Sequence, residues 1–373
     1  MRTIASARRS SLIDDGHVMS ELLSATQSAA YSMTETTSWA AEILTRAGVP
    51  QADARTTAEV LVRTDARGFR THGLTRLRSY LEKLKAGEVA AVAEVTADIN
   101  GSYGVVEAHG ALGQVAGIAA IDHAIRATET QPLVAVTLRE AGHLGALGVL
   151  VLRAAEAGRV ALMLQATPPI ITMPGVGGPM IGNNPFAIAA PRTNGPPIVV
   201  DMACSVAARG NIVLAARSGE PIPEGWAVDE NGVPTTDAKA ALKGSLLAFG
   251  GHKGLGMSII VELLAGSLSG RPFESSLNKD GQVRVAAGNL NAMFLVFNPD
   301  LMIGRAAYDA HVTAWTTHFK EAGQDARVPG ERAHAAEVAA NSDGLVFQDD
   351  IANDLRSLGD ELGLPFPAAI RKR

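Results

Sequence analysis

The sequence predicts an α/β protein whose sheet is covered by helices on both faces. Three observations point there. Short apolar runs bounded by turn residues alternate with longer segments of helical periodicity. The strand-like runs are apolar throughout instead of alternating, as in a sheet buried on both sides. Hydrophobic residues make up 47% of the chain and charged residues 19%, enough for a sizeable core.

The elements follow in order. Residues 36–47 and 51–66 read as helices, separated by a Gly48-Val49-Pro50 stop and a new start. The helix carrying His72 comes next and ends near Gly87. Its leucines, Leu74, Leu77, Leu81 and Leu84, recur at spacings of three and four. Residues 111–128 form a further helix, and "PLVAVTL" (132–138) a buried strand. The loop "REAGHLGALG" leads to a helix over 146–157, and "RVALMLQA" (159–166) is a second buried strand. From Val160 to Pro191 no residue is charged. That length could cross a bilayer, but Pro168, Pro169, Pro174, Pro179, Pro185 and Pro191 exclude a continuous lipid-facing helix. Loops and short buried strands are expected instead. "PIVVDMA" (197–203) is a third strand, followed by a helix over 205–217. "GGHKGLGMSIIVELLAGSLSG" is a glycine-rich loop entering an apolar helix. A strand over 292–298 and a helix over 304–323 follow. No fixed-period repeat is present.

The net charge of −5 argues against broad binding to nucleic acid or acidic membranes. A lone cysteine, Cys204, allows no internal disulfide and fits a reducing cytoplasm. On its own it reads as a small buried residue. The first 34 residues are rich in Ser, Ala and Thr and lack a signal-peptide core. They are expected to be a dispensable disordered extension, with Met33 an alternative start and residues 35–373 the catalytic unit.

Familiar machinery is missing from the sequence. Gly175/Gly177 and Gly254/Gly256 do not extend to G-x-G-x-x-G, and neither Walker A, H-E-x-x-H nor G-x-S-x-G occurs. Nothing in the histidine spacing supports a metal site. One anion-binding candidate is the glycine-rich helix entry with Lys253, which suits a phosphate but equally a plain tight turn. Another is "FRTHGLTRLRSY". At i and i+4, His72 and Arg76 would share a helix face, and with Thr71 as N-cap the helix dipole would lower the His72 pKa. Such a corner could hold a small carboxylate and exchange a proton. A solvated basic face is the alternative.

Taken in order, "DARGFRTHGLTRLRSYLEKLKAG", "AGHLGALG", "GNNPFAIAAP", "VVDMACSVAARGNIVLAARSGEPIPEGWAVDENGVPTTD", "GGHKGLGMSIIVELLAG" and "RVPGER" resemble the type II malate/L-lactate dehydrogenase family. The resemblance covers roughly residues 36–370. It implies a layered mixed sheet covered by helices, in a nicotinamide-binding fold unlike the Rossmann fold. It also implies reduction of 2-oxo acids or cyclic imino acids with NAD or NADP as cofactor, a small carboxylate substrate and a homodimer. His72 falls on the proton donor and Arg76 on the carboxylate ligand, with Thr71 and His143 lining the same cleft. Asp201 lies near histidine and cofactor. Cofactor contacts fall on Ile198, Val199, Val200, Asp201, Met202, Ala203 and Cys204, on His252 and Lys253, and on Gly330, Glu331 and Arg332. The chain departs from the family pattern in its N-terminal extension and at three motif positions. Thr71 replaces a serine, Gln165-Ala166-Thr167 replaces Thr-Asn-Ser, and His252 replaces an aromatic residue. A non-catalytic metabolite- or cofactor-binding paralogue is the alternative of another class.

Overall fold

The computed structural model describes residues 29–270 and 290–370. Residues 1–28, most of the expected extension, lie outside the described residues. Strand β1 (Ala30–Tyr31) precedes helices α1 (Met33–Arg46) and α2 (Gln51–Ala66). Two 3₁₀ turns, Arg70–His72 and Leu74–Arg76, lead into α3 (Leu77–Lys85). Next come β2 (Thr96–Asn100), β3 (Tyr103–Glu107), α4 (Gly113–Ala127), β4 (Leu133–Ala141) and α5 (Leu147–Glu156). Strands β5 (Val160–Ala166), β6 (Pro169–Thr172), β7 (Ile181–Gly182), β8 (Phe186–Ala190) and β9 (Ile198–Met202) follow. The chain continues through α6 (Arg209–Ser218), β10 (Ala227–Val228), β11 (Pro234–Thr235), α7 (Ala238–Lys243) and β12 (Ser245–Leu247). Helix α8 (His252–Val261) runs on into a π-helical turn, Glu262–Ser267. The last elements are β13 (Leu290–Phe297), α9 (Pro299–Met302), α10 (Arg305–Glu321), α11 (Glu331–Asp343), β14 (Leu345–Val346) and α12 (Asp349–Glu361).

Seven strands form the central sheet in the order β2-β3-β4-β13-β5-β8-β9. Its β3–β4 pair is parallel and the others are antiparallel. This is a mixed sheet, not the parallel doubly wound sheet of a Rossmann domain. Side chains alternate between its faces. Val134, Val136, Leu138, Met163 and Phe294 pack on one face with Ile121 of α4 and Leu147 and Leu150 of α5. Leu164, Ala166 and Met293 pack on the other with Val261 and Ala265. Both faces are therefore covered, which is why β4, β5 and β13 read as continuous apolar runs.

A second core joins α1, α2, α3 and α12, with Leu74 and Leu77 fully buried in it and Leu81 and Leu84 packed against it. A smaller five-stranded sheet, β11-β10-β12-β6-β7, covers Cys204 and Ile212. The helix expected from residue 205 starts at Arg209. The backbone before it is committed elsewhere, with Cys204 N donating to Asn183 O and Val206 N to Leu247 O.

Two expectations are corrected. The folded unit does not begin at residue 35. Tyr31 is buried, packs against Phe347 and Phe366, and accepts a hydrogen bond from Arg356. Ser32 also caps α1 by accepting from Glu35 N at 3.3 Å. Nor does an α-helix begin at Thr71. Residues 70–76 are two 3₁₀ turns joined at Gly73, and α3 starts with Arg76 as N-cap.

Candidate active site

Asp65, in the last turn of α2, shapes the His72 turn. Its Oδ2 accepts from Leu74 N at 2.8 Å. A Cβ at Gly73 would overlap the Asp65 carboxyl, so glycine is what lets the carboxyl reach under the turn. Thr71 is not the helix cap. Its Oγ1 lies 2.8 Å from His72 Nδ1, and its carbonyl accepts from Arg76 Nε at 2.7 Å. That bond commits Nε and leaves both terminal nitrogens of Arg76 without a partner among the described residues.

The 3₁₀ turns bring His72 against His143, from the loop between β4 and α5. The rings stack with centroids 5.7 Å apart and 23° between planes. Behind His143 stands Tyr80, its hydroxyl 2.8 Å from Nδ1. Gln114 Nε2 donates to that hydroxyl and to the His143 carbonyl, each at 3.1 Å. Arg76, Tyr80 and Lys83 follow at i, i+4 and i+7, which places them on one face of α3.

Charge in this corner is one-sided. Burial, and next the Arg76 guanidinium, push the His72 pKa down to about 4. Burial pushes His143 down to about 3, helped by His72, Arg76 and Lys83. Lys83 is itself lowered, first by burial, with Arg76 adding and Glu88 opposing. The low His72 pKa thus comes from desolvation and Arg76, and the helix-dipole explanation falls with the missing N-cap. At neutral pH the corner holds two neutral imidazoles beside cationic Arg76 and Lys83.

Asp201, on edge strand β9, accepts from Gly148 N at 2.7 Å. The N-cap of α5, Ala146, has no side-chain cap, so Asp201 caps this helix from another element. Burial raises its pKa to about 6 against the pull of that bond. Asp201 makes no hydrogen bond to His72. It is tied to the site through the loop that carries His143.

The expected cofactor segments are placed as follows. In β9 and beyond, Ile198, Val199 and Cys204 are buried, Val200 and Ala203 half-buried, and Met202 is exposed. The Cys204 thiol contacts Asn184 O at 3.2 Å, and burial pushes its pKa up to about 11, so it is an inert packing group. The outer edge of β9 meets the "PGER" loop, where Val199 N donates to Pro329 O at 3.0 Å. Gly330 has φ 98°, and a Cβ there would press on Pro197 O and Val199 N. Glu331 is engaged within the protein, 2.7 Å from both buried Arg192 and Lys320. Arg332 is exposed. At the other segment, Gly250 (φ 55°) and Gly251 (φ 61°) turn the chain into α8, whose first turn has no side-chain cap. His252 and Lys253 stand exposed there, and Lys253 has no ion pair among the described residues. Uncapped N–H groups, close-approach glycines and an exposed lysine fit the phosphates of a nicotinamide dinucleotide.

Asp65, Tyr80, Lys83 and Gln114 were not among the sequence candidates. The spacing from Arg76 could have flagged Tyr80 and Lys83. Asp65 and Gln114 enter only through tertiary contacts. Among the described residues no His, Cys, Asp or Glu cluster could hold a metal ion. No described helix is long and apolar enough to cross a membrane.

Two tests follow from this geometry. Burial raises the Asp65 pKa to about 7, against the Leu74 bond and the Arg70 charge. With the folded pKa above the unfolded one, the native state holds the extra proton, and this group costs stability as pH rises from about 4 to 7. Asp65→Asn should therefore gain melting temperature relative to wild type on going from pH 5 to pH 8. An equal shift in both proteins would contradict that. Lys253→Ala should raise the cofactor KM about ten- to a hundred-fold, the worth of a charge-assisted bond, with the fold intact. Unchanged cofactor titration would remove Lys253 from the site.

Known proteins agree with this architecture. The family described as malate/L-lactate dehydrogenase matches residues 31–356. The delta(1)-pyrroline-2-carboxylate/delta(1)-piperideine-2-carboxylate reductase of Pseudomonas aeruginosa is 36% identical, over 86% of this chain and 96% of that protein. The (2R)-3-sulfolactate dehydrogenase (NADP(+)) of Chromohalobacter salexigens is 33% identical, over 87% of this chain and 97% of that protein. The sulfolactate dehydrogenase structure from Methanocaldococcus jannaschii superposes with TM-score 0.80 at 29% identity, covering 90% and 98% of the two chains. Fold and site together define a non-Rossmann oxidoreductase. The chain belongs to the malate/L-lactate dehydrogenase family.

Proposed function

We propose that this enzyme interconverts a small 2-oxo acid and its 2-hydroxy acid, with NAD or NADP as the hydride carrier. The observation that carries the reading is the Arg76 corner: a guanidinium with two uncommitted nitrogens beside two stacked neutral imidazoles. A planar guanidinium can grip a carboxylate with two parallel bonds. The substrate oxygen at C2 then falls to the histidines. His72 gives or takes the proton on that oxygen. When bound, the nicotinamide supplies or accepts the hydride at C2. His252, Lys253 and the edge strand Ile198–Met202 would hold it, a reading supported by the exposed Lys253 at the uncapped start of α8.

The electrostatics give the corner a direction. A histidine with pKa about 4 is neutral at pH 7 and ready to act as a base toward a 2-hydroxy acid. For reduction it must first gain a proton. A bound carboxylate offsets the field of Arg76, the second cause of the depression, and so raises the His72 pKa. Asp201 steadies this arrangement by holding the first turn of α5 and the loop before it.

A second reading is favoured by the Pseudomonas aeruginosa relative, whose substrates carry a cyclic C=N next to a carboxylate. The same proton donor and the same carboxylate clamp serve that reaction. Parallel panels of 2-oxo acids and cyclic imino acids, each with NADH and NADPH, separate the two. No turnover in any combination by folded protein would favour a non-catalytic binding role. Arg76→Lys should weaken carboxylate substrates about ten- to a hundred-fold and their esters much less, because lysine lacks the two-pronged geometry. Equal losses for acid and ester would contradict the clamp.

The proposal includes a cytoplasmic homodimer. Ile259, Ile260, Leu263 and Leu268 form an exposed apolar stripe along α8 and its π continuation, which supports association of two copies. Sedimentation at micromolar concentration tests it.

A further inference from the structure

We infer that Tyr80 and Gln114 are positioning residues that hold His143 as a neutral imidazole with its proton on Nε2, leaving proton exchange to His72. For its effect on turnover the inference rests on the proposed function; for the state of the ring it does not.

Proton accounting in a buried network gives the result. Gln114 is fully buried and Tyr80 is 3% exposed, so water does not compete. Gln114 Nε2 lies 3.1 Å from the His143 carbonyl. A carbonyl only accepts, which identifies the nitrogen end of the amide. Flipped, the amide would set two oxygens against each other. The same Nε2 donates to the Tyr80 hydroxyl at 3.1 Å. The Tyr80 oxygen thus accepts from Gln114 and keeps its single proton to give. It has two acceptors in view, His143 Nδ1 at 2.8 Å and His143 O at 3.5 Å. The longer one exceeds a normal O–H···O distance, and that carbonyl is already served by Gln114. Tyr80 therefore donates to Nδ1. A ring nitrogen that accepts carries no proton, so the neutral ring has its proton on Nε2.

The charges around the ring act in the same sense. Facing His143 are His72 and Arg76 from the 3₁₀ turns, and Tyr80 and Lys83 from α3. None is an anion, so nothing in this set favours an imidazolium. His72 is held differently. Its Nδ1 meets the hydroxyl of exposed Thr71, which can donate or accept. Of the stacked pair, only His72 keeps both protonation states open. His143 supplies a fixed N–H donor for a substrate oxygen.

The test is the ¹⁵N signature of the histidine rings, with His143 identified by its loss in His143→Gln. Wild type should show a neutral Nε2–H ring unchanged from pH 5 to 8. In Tyr80→Phe the lock is gone, and the ring should become a tautomer mixture or titrate in that range. With 2-oxo or imino acid substrates, kcat should fall about tenfold, the effect of one lost hydrogen bond, at a cofactor KM within about twofold. If Tyr80→Phe does not fold, Gln114→Met keeps the hydroxyl but frees its rotation, and the ring should again show a mixture. A wild-type ring carrying Nδ1–H, a wild-type ring that titrates between pH 5 and 8, or an unchanged ring in the folded variants would overturn the inference. Ring behaviour as stated, with no turnover of either substrate class, would leave the lock standing and remove the proposed function.

Discussion

His72→Asn should lower kcat by on the order of 10²–10⁴-fold, the usual worth of general acid–base catalysis, and leave NAD(P)H binding nearly unchanged. The fold should survive, because the position lies in a half-buried 3₁₀ turn held by Asp65 and not in the packed core. Stability should change in a definite sense. The folded pKa of about 4 lies below the ordinary value, so in wild type the unfolded chain takes up the proton first as pH falls. Wild type thus loses stability from this group as pH drops from about 6.5 to 4, and His72→Asn should flatten that part of the profile. A kcat within about threefold of wild type would reduce His72 to part of a basic face.

The second large effect falls on the helical core and not on the candidate site itself. Tyr31→Ala should cost roughly 3–5 kcal/mol, the range for deleting a large buried aromatic side chain. The residue is 2% exposed, packs against Phe347 and Phe366, and ties β1 to the middle of α12 through Arg356. A chain starting at Met33 loses the same contacts and the β1–β14 pairing as well. It should therefore unfold at clearly lower denaturant, contrary to the expectation that everything before residue 35 is dispensable. An unchanged denaturant midpoint for Tyr31→Ala would show that β1 adds nothing to the core.

What the sequence revealed, and what it hid, follows the range of the interactions. β4, β5 and β13 were legible because burial on both faces makes them apolar throughout. The β2–β3 hairpin was not, since Asp98 and Asn100 are exposed on a rim strand. The two-residue strands of the smaller sheet are too short to have any period. Around His72 the leucine spacing correctly gave the buried face. The helix start was misread because the break at Gly73 is set by Asp65, which accepts from Leu74 N, nine residues further along the chain. His72 and Arg76 still face one corner, but through the turn-back of Arg76 onto the Thr71 carbonyl. Tyr80 and Lys83 stand at helical spacing from Arg76 and lay open to a sequence reading, whereas Gln114 needed the fold. Gln114 lies 34 residues from Tyr80 and 29 from His143 along the chain, and no local pattern connects them. The family motifs point to the strand Ile198–Met202 and the "PGER" loop, and the structure sets the two side by side. The structure bears out the reading of Cys204 as a small buried residue and adds that Glu331 is spent on an internal ion pair.

The proposed function stands or falls with hydride transfer to a carbon next to a carboxylate held at the His72–Arg76 corner. The most direct measurement supplies NADH or NADPH deuterated at both C4 positions of the nicotinamide, with 2-oxo and cyclic imino acids, and locates the label in the product. One deuterium is expected at C2 of the hydroxy or amino acid, with wild type far faster than His72→Asn. A reduced product whose C2 hydrogen comes from water, or no reduction of either substrate class by folded wild-type protein, would contradict it.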